Sequence, residues 1–525
     1  MPNTPCFPGA YIEELPSGAR AITGVATSLA AFVGRTRRGP VNDPVPIKTF
    51  ADFERIFGGL WRWSPLSFAV RDFYLNGGRQ AVVVRLYRPA VGRDVDQEAR
   101  LVLGTLHLQA AHPGSWANQL RARIDHHVES PRAAALFNLT VRDGRTGATE
   151  TFRDVSVLPN HLRNIQRVLE QESQLIRTRG PLPVARPAHS GPAPLGVPAA
   201  GADPFAAATS AGVAAKGTDG TALTGSDYTT SASAKTGIYA LEKTDLFNIL
   251  CLPPPSFTAD IKASTWAAAA AYCEKRRAML IVDPPADWAS KDAAKGDGSA
   301  TGVAALGTTS KNSAVYFPRL RQPNPLRQNQ VEDFAPCGAV AGVWARTETN
   351  GGVWKAPAGL EAALVGVPQL SVSLTDRENG ELNQLAINCL RSFPAAGRVV
   401  WGARTLQGGD RLASEWKYVP VRRLALFVEE SLLRGTKWVV LEANDEPLWA
   451  QIRLCLGAFM HSLFRQGAFQ GSTPREAYFV KCGEETTTPN DIGLGVVNIL
   501  IGFAPLKPAE FVIIKVQQFA GPAAT

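Results

Sequence analysis

At 525 residues, 45% apolar and 19% charged, the chain carries enough apolar material for two to four packed domains and does not have the composition of a disordered polypeptide. Its net charge of +9 and pI near 9.2 favour an acidic partner, but the Lys and Arg residues are dispersed with no run of five, which counts against nucleic acid. The seven cysteines form no C-x-x-C pair and the seven histidines no H-E-x-x-H. Zinc sites and a disulfide framework therefore have no signature, and no apolar run approaches the roughly 18 residues of a membrane span.

The start, Met1-Pro2-Asn3-Thr4-Pro5, lacks a charged stretch followed by an apolar one, so synthesis and retention in the cytoplasm are expected. Pro8-Gly9-Ala10 leads into Tyr11-Ile12-Glu13-Glu14-Leu15, a short strand closed by Pro16-Ser17-Gly18. Ser28 to Val33 reads as a buried strand, followed by a Gly-ended loop with Arg35, Arg37 and Arg38. Such a loop suits a phosphate, a subunit contact or plain solvation, and no Gly-Lys-Ser/Thr follows to favour the first. Pro46 to Phe50 predicts a short strand, Thr49 or Asp52 a helix cap, and Gly58-Gly59 its stop. Ser64-Pro65 opens a helix over Leu66 to Leu75, and Gln80 to Tyr87 is apolar with too short a period for a helix, hence a central strand.

Alternating apolar and polar residues at Arg100 to Gln109, Leu120 to His127, Leu136 to Arg142 and Glu150 to Phe152 predict an antiparallel β domain, closed by a helix from about Leu162 to Ile176. His126-His127 lies inside this pattern and reads as structural. From Gly180 to about Gly225 the composition collapses to Ala, Pro, Gly, Ser and Thr, which predicts a surface linker.

An α/β rhythm then resumes. Phe247 to Leu252 is a strand, Thr265 to Arg277 a helix and Ala278 to Val282 a strand, which together make a right-handed parallel unit. Asp283, at the carboxyl end of that strand, stands where α/β enzymes often keep a carboxylate, although an Asp before Pro is also a turn residue. An α/β hydrolase-like enzyme using Asp283 is the alternative function. Ala314 to Pro318, Gly338 to Thr347 and Arg398 to Ala403 supply strand or buried-loop material, with Trp344, Trp354 and Trp401 as packing anchors. Tyr418 to Gly435 predicts a helix and Lys437 to Leu441 a strand. The helix from Glu446 to about Phe469 carries an apolar stripe of Leu448, Ile452, Cys455, Leu456, Phe459 and Leu463, with Gln451, His461, Ser462 and Arg465 opposite.

The end of the chain, Tyr478 to Cys482, Leu494 to Phe503 and Glu510 to Phe519, is β-branched or aromatic and bounded by Gly and Pro. A last strand of that kind folds back on its own sheet or adds to another subunit's edge. Gly493-Leu494-Gly495 begins a dinucleotide-like pattern whose third Gly is replaced by Asn498, so it reads as a strand entry. No catalytic, cofactor-binding or metal-ligating constellation emerges.

Blocks spread along the chain in one order resemble the sheath proteins of contractile phage tails and of related contractile injection systems. They are Pro8 to Glu14, Ile22 to Ser28, Phe32 to Gly34, Gly39-Pro40, Ser64 to Gly78, Lys235 to Tyr239, Gly351 to Pro357, Leu382-Asn383, Trp401 to Thr405, Trp416 to Leu424 and Pro505 to Phe511. The resemblance implies a multi-domain α/β (α+β) fold whose core is assembled from N- and C-terminal parts. Its expected parts are an arm at 1–20, core at 21–89, an inserted β-rich outer domain at 90–180, the linker at 181–236, an α/β middle domain at 237–410, a tube-proximal domain at 411–504 and a second arm at 505–525. It implies self-assembly as stacked hexameric rings around an inner tube protein, with baseplate and terminal cap proteins as further partners and no nucleic acid, cofactor or membrane insertion. The arms would lend Tyr11, Ile12, Glu13, Glu14, Leu15, Phe511, Val512, Ile513, Ile514 and Val516 to neighbours. The receiving residues would be Tyr478, Phe479, Val480, Val496, Val497 and Ile499. Arg422, Arg423, Arg453 and Arg465 are the implied contacts with an acidic tube. The product would be a tail or injection particle released on lysis.

Overall fold

The computed structural model describes residues 21–91, 97–128, 133–298, 300–511 and 513. The run Ala30–Gly34 (β1) is buried at every position. Val45–Ile47 (β2) precedes a helix over Phe50–Phe57 (α1), which Thr49 starts by exchanging hydrogen bonds with Asp52 and which Gly58 ends at φ 91°. Leu66–Leu75 (α2) follows Pro65. Ala81–Arg85 (β3) lies parallel to β1, with Phe32 opposite Val83, and β2 runs antiparallel along the outer side of β3.

The β-rich part is built from hairpins. Arg100–Leu103 (β4) and Leu106–Ala110 (β5) are two strands where the sequence pattern reads as one, because Gly104 at φ 59° turns the chain. Leu120–Asp125 (β6), Phe137–Asp143 (β7) and Thr149–Val155 (β8) form an antiparallel sheet. The helix Ile165–Glu172 (α3), capped by Asn164, is shorter than expected, because Ile176–Thr178 (β9) turns off to pair with β5. The supposed linker departs most from expectation. Val213–Ala215 (β10) pairs with β4, and the stretch before it lies along β6. There Ser190 N donates to Ile124 O, His126 N to Leu195 O, and Ala122 and Ala211 exchange backbone bonds. The free edge of β6 needs main-chain partners, and Ala, Pro and Gly supply carbonyls as well as any residue does.

The remaining elements are Gly225–Tyr228 (α4), Ile249–Cys251 (β11), Ala263–Lys275 (α5), Met279–Val282 (β12), Lys291–Lys295 (α6), Ser313–Phe317 (β13), Leu320–Asn324 (β14), Gln330–Phe334 (β15), Cys337–Gly351 (α7), Gln369–Leu370 (β16), Asp376–Asn383 (α8), Ile387–Phe393 (β17) and Gly397–Val400 (β18). They complete an eight-stranded sheet in the order β18-β17-β13-β12-β11-β1-β3-β2, parallel from β17 to β3 with an antiparallel strand at each edge. The N-terminal strands β1 and β3 thus extend a sheet made by the middle of the chain.

Gly338 to Thr347, expected as strand or buried loop, is helix α7. Its signal is the four-residue spacing of Gly338 and Gly342, which puts both on one face. A Cβ at Gly338 would collide with the backbone of Ala69, and one at Gly342 with the Phe73 carbonyl, so the glycines let α7 lie directly against α2. Trp344 is fully buried, with its Nε1 3.2 Å from the Tyr316 hydroxyl.

Backbone proximity divides the chain into two units. Ser28–Arg346 with Pro357–Ser414 makes one; Met1–Thr27, Thr347–Ala356 and Glu415–Thr525 make the other. The second unit contains Val419–Gly435 (α9), Glu446–Arg465 (α10), Pro474–Ala477 (α11), Tyr478–Lys481 (β19), Pro489–Gly493 (α12) and Leu500–Phe503 (β20). The apolar stripe read on α10 is buried throughout, and the helix stops at Gln466 before Gly467 at φ 79°. Lys437 to Leu441 is a helical turn and not a strand: Leu441 is left-handed at φ 72° and fully exposed.

The glycine packing gives opposite signs for two Gly→Ala changes. Gly338→Ala should destabilise by about 1–3 kcal/mol despite its better helix propensity, because the backbone of α2 must move. Gly380→Ala in α8, where the added Cβ meets nothing within 4 Å, should stabilise by up to about 1 kcal/mol. Urea unfolding midpoints of the two variants check both signs.

Candidate functional site

Strands β19 and β20 pair antiparallel, with Tyr478 opposite Phe503, Phe479 opposite Gly502, Val480 opposite Ile501 and Lys481 opposite Leu500. The alternation sorts the side chains. Tyr478, Val480, Ile501 and Phe503 pack on the apolar faces of α9 and α10, beside Leu424, Phe459, Met460 and Leu463. Phe479 and Leu500 point outward, 46% and 53% exposed. Gly502 has a specific use here, since a Cβ would run into the Phe479 ring that lies across it. Among the described residues no third strand joins this pair, whose sheet is β19-β20 alone. Two strands are marginal by themselves, and a sheet edge without a neighbour leaves N–H and C=O groups to be paired.

The expected receiving residues divide into two groups. Tyr478, Phe479 and Val480 form β19. Val496, Val497 and Ile499 do not belong to a strand: Thr488 caps α12, Gly495 turns left-handed at φ 70°, and β20 begins only at Leu500. Val497 and Ile499 instead pack beside Trp449 and Ile452 of α10, and the Val496 carbonyl accepts from Asn444 Nδ2 at 3.0 Å. After β20, the Glu510 carboxylate lies 3.2 Å from the Tyr418 hydroxyl and 4.0 Å from Lys417 Nζ. Phe511 and Ile513 follow, 75% and 82% exposed. Tyr11, Ile12, Glu13, Glu14, Leu15, Val512, Ile514 and Val516 lie outside the described residues.

The four arginines are placed unequally. Arg423 is buried; its Nη2 donates to the Thr27 carbonyl at 2.9 Å and to Glu348 Oε2 at 2.7 Å, while the Thr27 hydroxyl donates to the other oxygen of Glu348. Three distant stretches of the chain meet at that guanidinium. Nearby, Val25 N donates to Ser431 Oγ at 3.1 Å, and Gly24 lies against the Phe427 ring. Arg422, also buried, pairs with Glu429 at 3.1 Å and stacks over Trp416. Arg453 bonds the Cys482 carbonyl and Glu446. Arg465 is exposed in the last turn of α10. The geometry therefore makes Arg422 and Arg423 interior supports, which nothing in their sequence spacing distinguishes from surface arginines.

Asp283 is likewise interior. Its Oδ1 accepts the Cys337 N–H at 2.8 Å and so caps the first turn of α7, a favourable place for negative charge. Its Oδ2 has no hydrogen-bond partner among the described residues, and burial pushes the carboxyl up to about 7. Arg319, the basic residue near it, pairs with Asp260. Asp283 is thus a buried helix cap, and burial pushes the thiol beside it, Cys337, well above its ordinary range, away from the thiolate a nucleophile needs. No cluster of three or more His, Cys, Asp or Glu able to hold a metal occurs among the described residues.

Residues 221–406 match the central-domain model of phage tail sheath proteins, and residues 413–519 match the model of the phage tail sheath C-terminal domain. Together the two matches take in more than half of the chain. The chain belongs to the phage tail sheath family. The tail sheath protein of Vibrio phage KVP40 is 31% identical over 127 residues, 24% of this chain and 18% of that protein. The curated relatives are matched over 18 to 26% of their own length. Among solved structures, the helical sheath of the anti-feeding prophage in its contracted state has a TM-score of 0.58 at 21% identity, covering 98% of this chain and 100% of that one. The sheath tail protein Lin1278 from Listeria innocua has a TM-score of 0.60 at 12% identity, covering 93% and 97%. At those identities the likeness is one of fold, and it extends over nearly the whole sheath-type chain.

Two outcomes follow from the buried charges. The folded state holds the Asp283 proton up to about pH 7, whereas an ordinary Asp releases it near 3.8. The group's contribution to stability is full below 3.8, falls as pH rises through about 7, and is constant above. Unfolding free energies at pH 5 and pH 8 should therefore differ less in Asp283→Asn than in the natural chain. Arg423→Met, which removes the buried guanidinium paired with Glu348, should cost about 3 kcal/mol, whereas Arg465→Met should change stability by less than about 0.5 kcal/mol. Urea titrations followed by tryptophan fluorescence separate the two.

Proposed function

We propose that this chain is the structural subunit of a contractile sheath, polymerising with copies of itself as hexameric rings stacked around an inner tube. The observation that carries the reading is the β19–β20 pair, a sheet with no third strand among the described residues, followed after residues 504–510 by the exposed apolar residues Phe511 and Ile513. Segments that end this way are completed by another chain, through a strand added to an edge. In the proposed lattice, one neighbour's residues around Tyr11–Leu15 and another's residues 511–519 extend the pair to four strands. A lent strand of that length contributes several ladder hydrogen bonds at about 0.5–1.5 kcal/mol each, together with the burial of Phe511, Ile513 and Val516.

Such a junction holds while the segments leading to it bend, so subunit bodies rotate against each other and the cylinder shortens without coming apart. The work of driving the tube through a target envelope comes from packing stored in the extended lattice. In this reading the chain is not an enzyme. Arg465, with Arg453 more than three turns earlier on α10, offers the positive charge an acidic tube surface would meet, and Arg422 and Arg423 hold the unit that presents them. Baseplate and terminal cap proteins bound the cylinder; neighbours of this fold come from a baseplate and from a sheath in its contracted state. The particle is assembled in the cytoplasm, and no described helix is long and apolar enough to cross a membrane.

Electron microscopy of the full chain and of a chain ending before Phe511, each produced with its tube protein, tests the proposal. Rods or stacked rings are expected from the full chain alone, with the shortened chain folded and monomeric by circular dichroism and gel filtration. Rods of equal width from the shortened chain would overturn strand exchange at the C-terminus, and compact particles from both would overturn the sheath role.

A further inference from the structure

The arginine loop after β1 remains unused by the role above. It lines a surface cavity of about 400 Å³ with Arg37, Leu60, Trp61, Arg62, Trp63, Ser115, Asp219 and Leu326 on its walls. Most charges around it are already satisfied. Arg35 donates to the carbonyls of Asp219 and Gly220 at 2.9 and 3.4 Å and stacks on Trp61 at 4.9 Å. The two oxygens of Asp219 accept from Ser115 N and Ser115 Oγ, both at 2.8 Å. Arg38 lies 3.7 Å from Asp143 and stacks on Trp116.

Two guanidinium groups are left over. Arg37 has no ion pair within 4 Å among the described residues; burial lowers its pKa, Arg145 and Arg38 repel it, and the more distant Asp219 and Asp143 offset this only in part. Its stem is held in place by close packing against Gly58, whose φ of 91° suits glycine. Arg62 is exposed and lies over the half-exposed ring of Trp63 at 4.5 Å, again with no ion pair among the described residues. A planar guanidinium fixed by an indole is pre-organised for a carboxylate.

We propose that this cavity is a docking site for an acidic peptide segment of a partner protein, in which Arg37 and Arg62 receive glutamate carboxylates. The walls fit a glutamate better than a phosphate. Leu60 and Leu326 offer apolar surface to the methylene stem, and Asp219 at the rim repels a dianion more than a single carboxylate. The loop also lacks the lysine and helix N-terminus with which phosphate-binding loops hold their ligand.

Titrating the full-length protein with acetyl-Glu-Glu-Gly-Glu-Glu-amide, and separately with inorganic phosphate and ATP, while reading tryptophan fluorescence, tests the site. The peptide should give a saturable change that weakens with added salt. An Arg37→Ala, Arg62→Ala double variant should weaken it at least tenfold with an unchanged circular dichroism spectrum. Arg62→Lys, which keeps charge but loses the stacked fork, should fall between. No saturable change, equal affinity in the double variant, or tighter binding of phosphate or ATP than of the peptide would overturn the proposal.

Discussion

A backbone N–H or C=O taken from water must find a partner, and the edges of the sheets are where this chain meets that demand. The eight-stranded sheet ends in short antiparallel strands, β2 and β18, and residues 359–364 hydrogen-bond along the outer edge of β18. The edge of β6 is covered by the Pro- and Ala-rich stretch, which supplies carbonyls and N–H groups while burying few side chains. At β19–β20 no third strand joins the pair among the described residues. The first two solutions make a stable subunit, and in the proposed sheath the third would give that subunit a directional way to bind its copies, because a ladder fixes both register and strand direction in a way apolar contact does not.

Buried polar groups then tie stretches far apart in the sequence. Asp283, at the end of β12, caps α7 across 54 positions, and Arg423 joins α9 to Thr27 and Glu348. Arg85, almost wholly buried at the end of β3, donates to the carbonyls of Gly39 and Pro113. Each is costly to desolvate and is satisfied mostly by groups that local structure leaves over, so each selects one arrangement of segments. Tail sheath proteins, as filament subunits, need that definition, since a lattice repeats any looseness in its subunit.

The local rules of helices and strands made much of the fold legible beforehand. The Thr49–Asp52 box, the Gly58 stop, the stripe of α10 and the β11-α5-β12 unit all rest on neighbours within a few positions. What was not legible depended on partners remote in sequence. Gly338 to Thr347 reads as strand or buried loop until α2 is seen against Gly338 and Gly342, and Val213–Ala215 becomes a strand only because β4 lies beside it. Val496, Val497 and Ile499 look like strand residues by composition, but α12 and Gly495 delay the strand to Leu500. Tyr478, Phe479 and Val480 were recognisable as strand from composition, whereas the interior placement of Arg422 and Arg423 depends on Glu429, Trp416, Glu348 and Thr27 and left no local mark.

The bond from Arg423 to Thr27 spans 396 positions, and that from Val25 to Ser431 spans 406. During synthesis at about 5–20 residues per second, residues 22–27 leave the ribosome roughly 20–80 seconds before the helix they lie along exists. The strand pair beyond that helix is made later still. The β19–β20 pair is thus made after every strand of the eight-stranded sheet has been synthesised, and that sheet has time to fold before the pair exists.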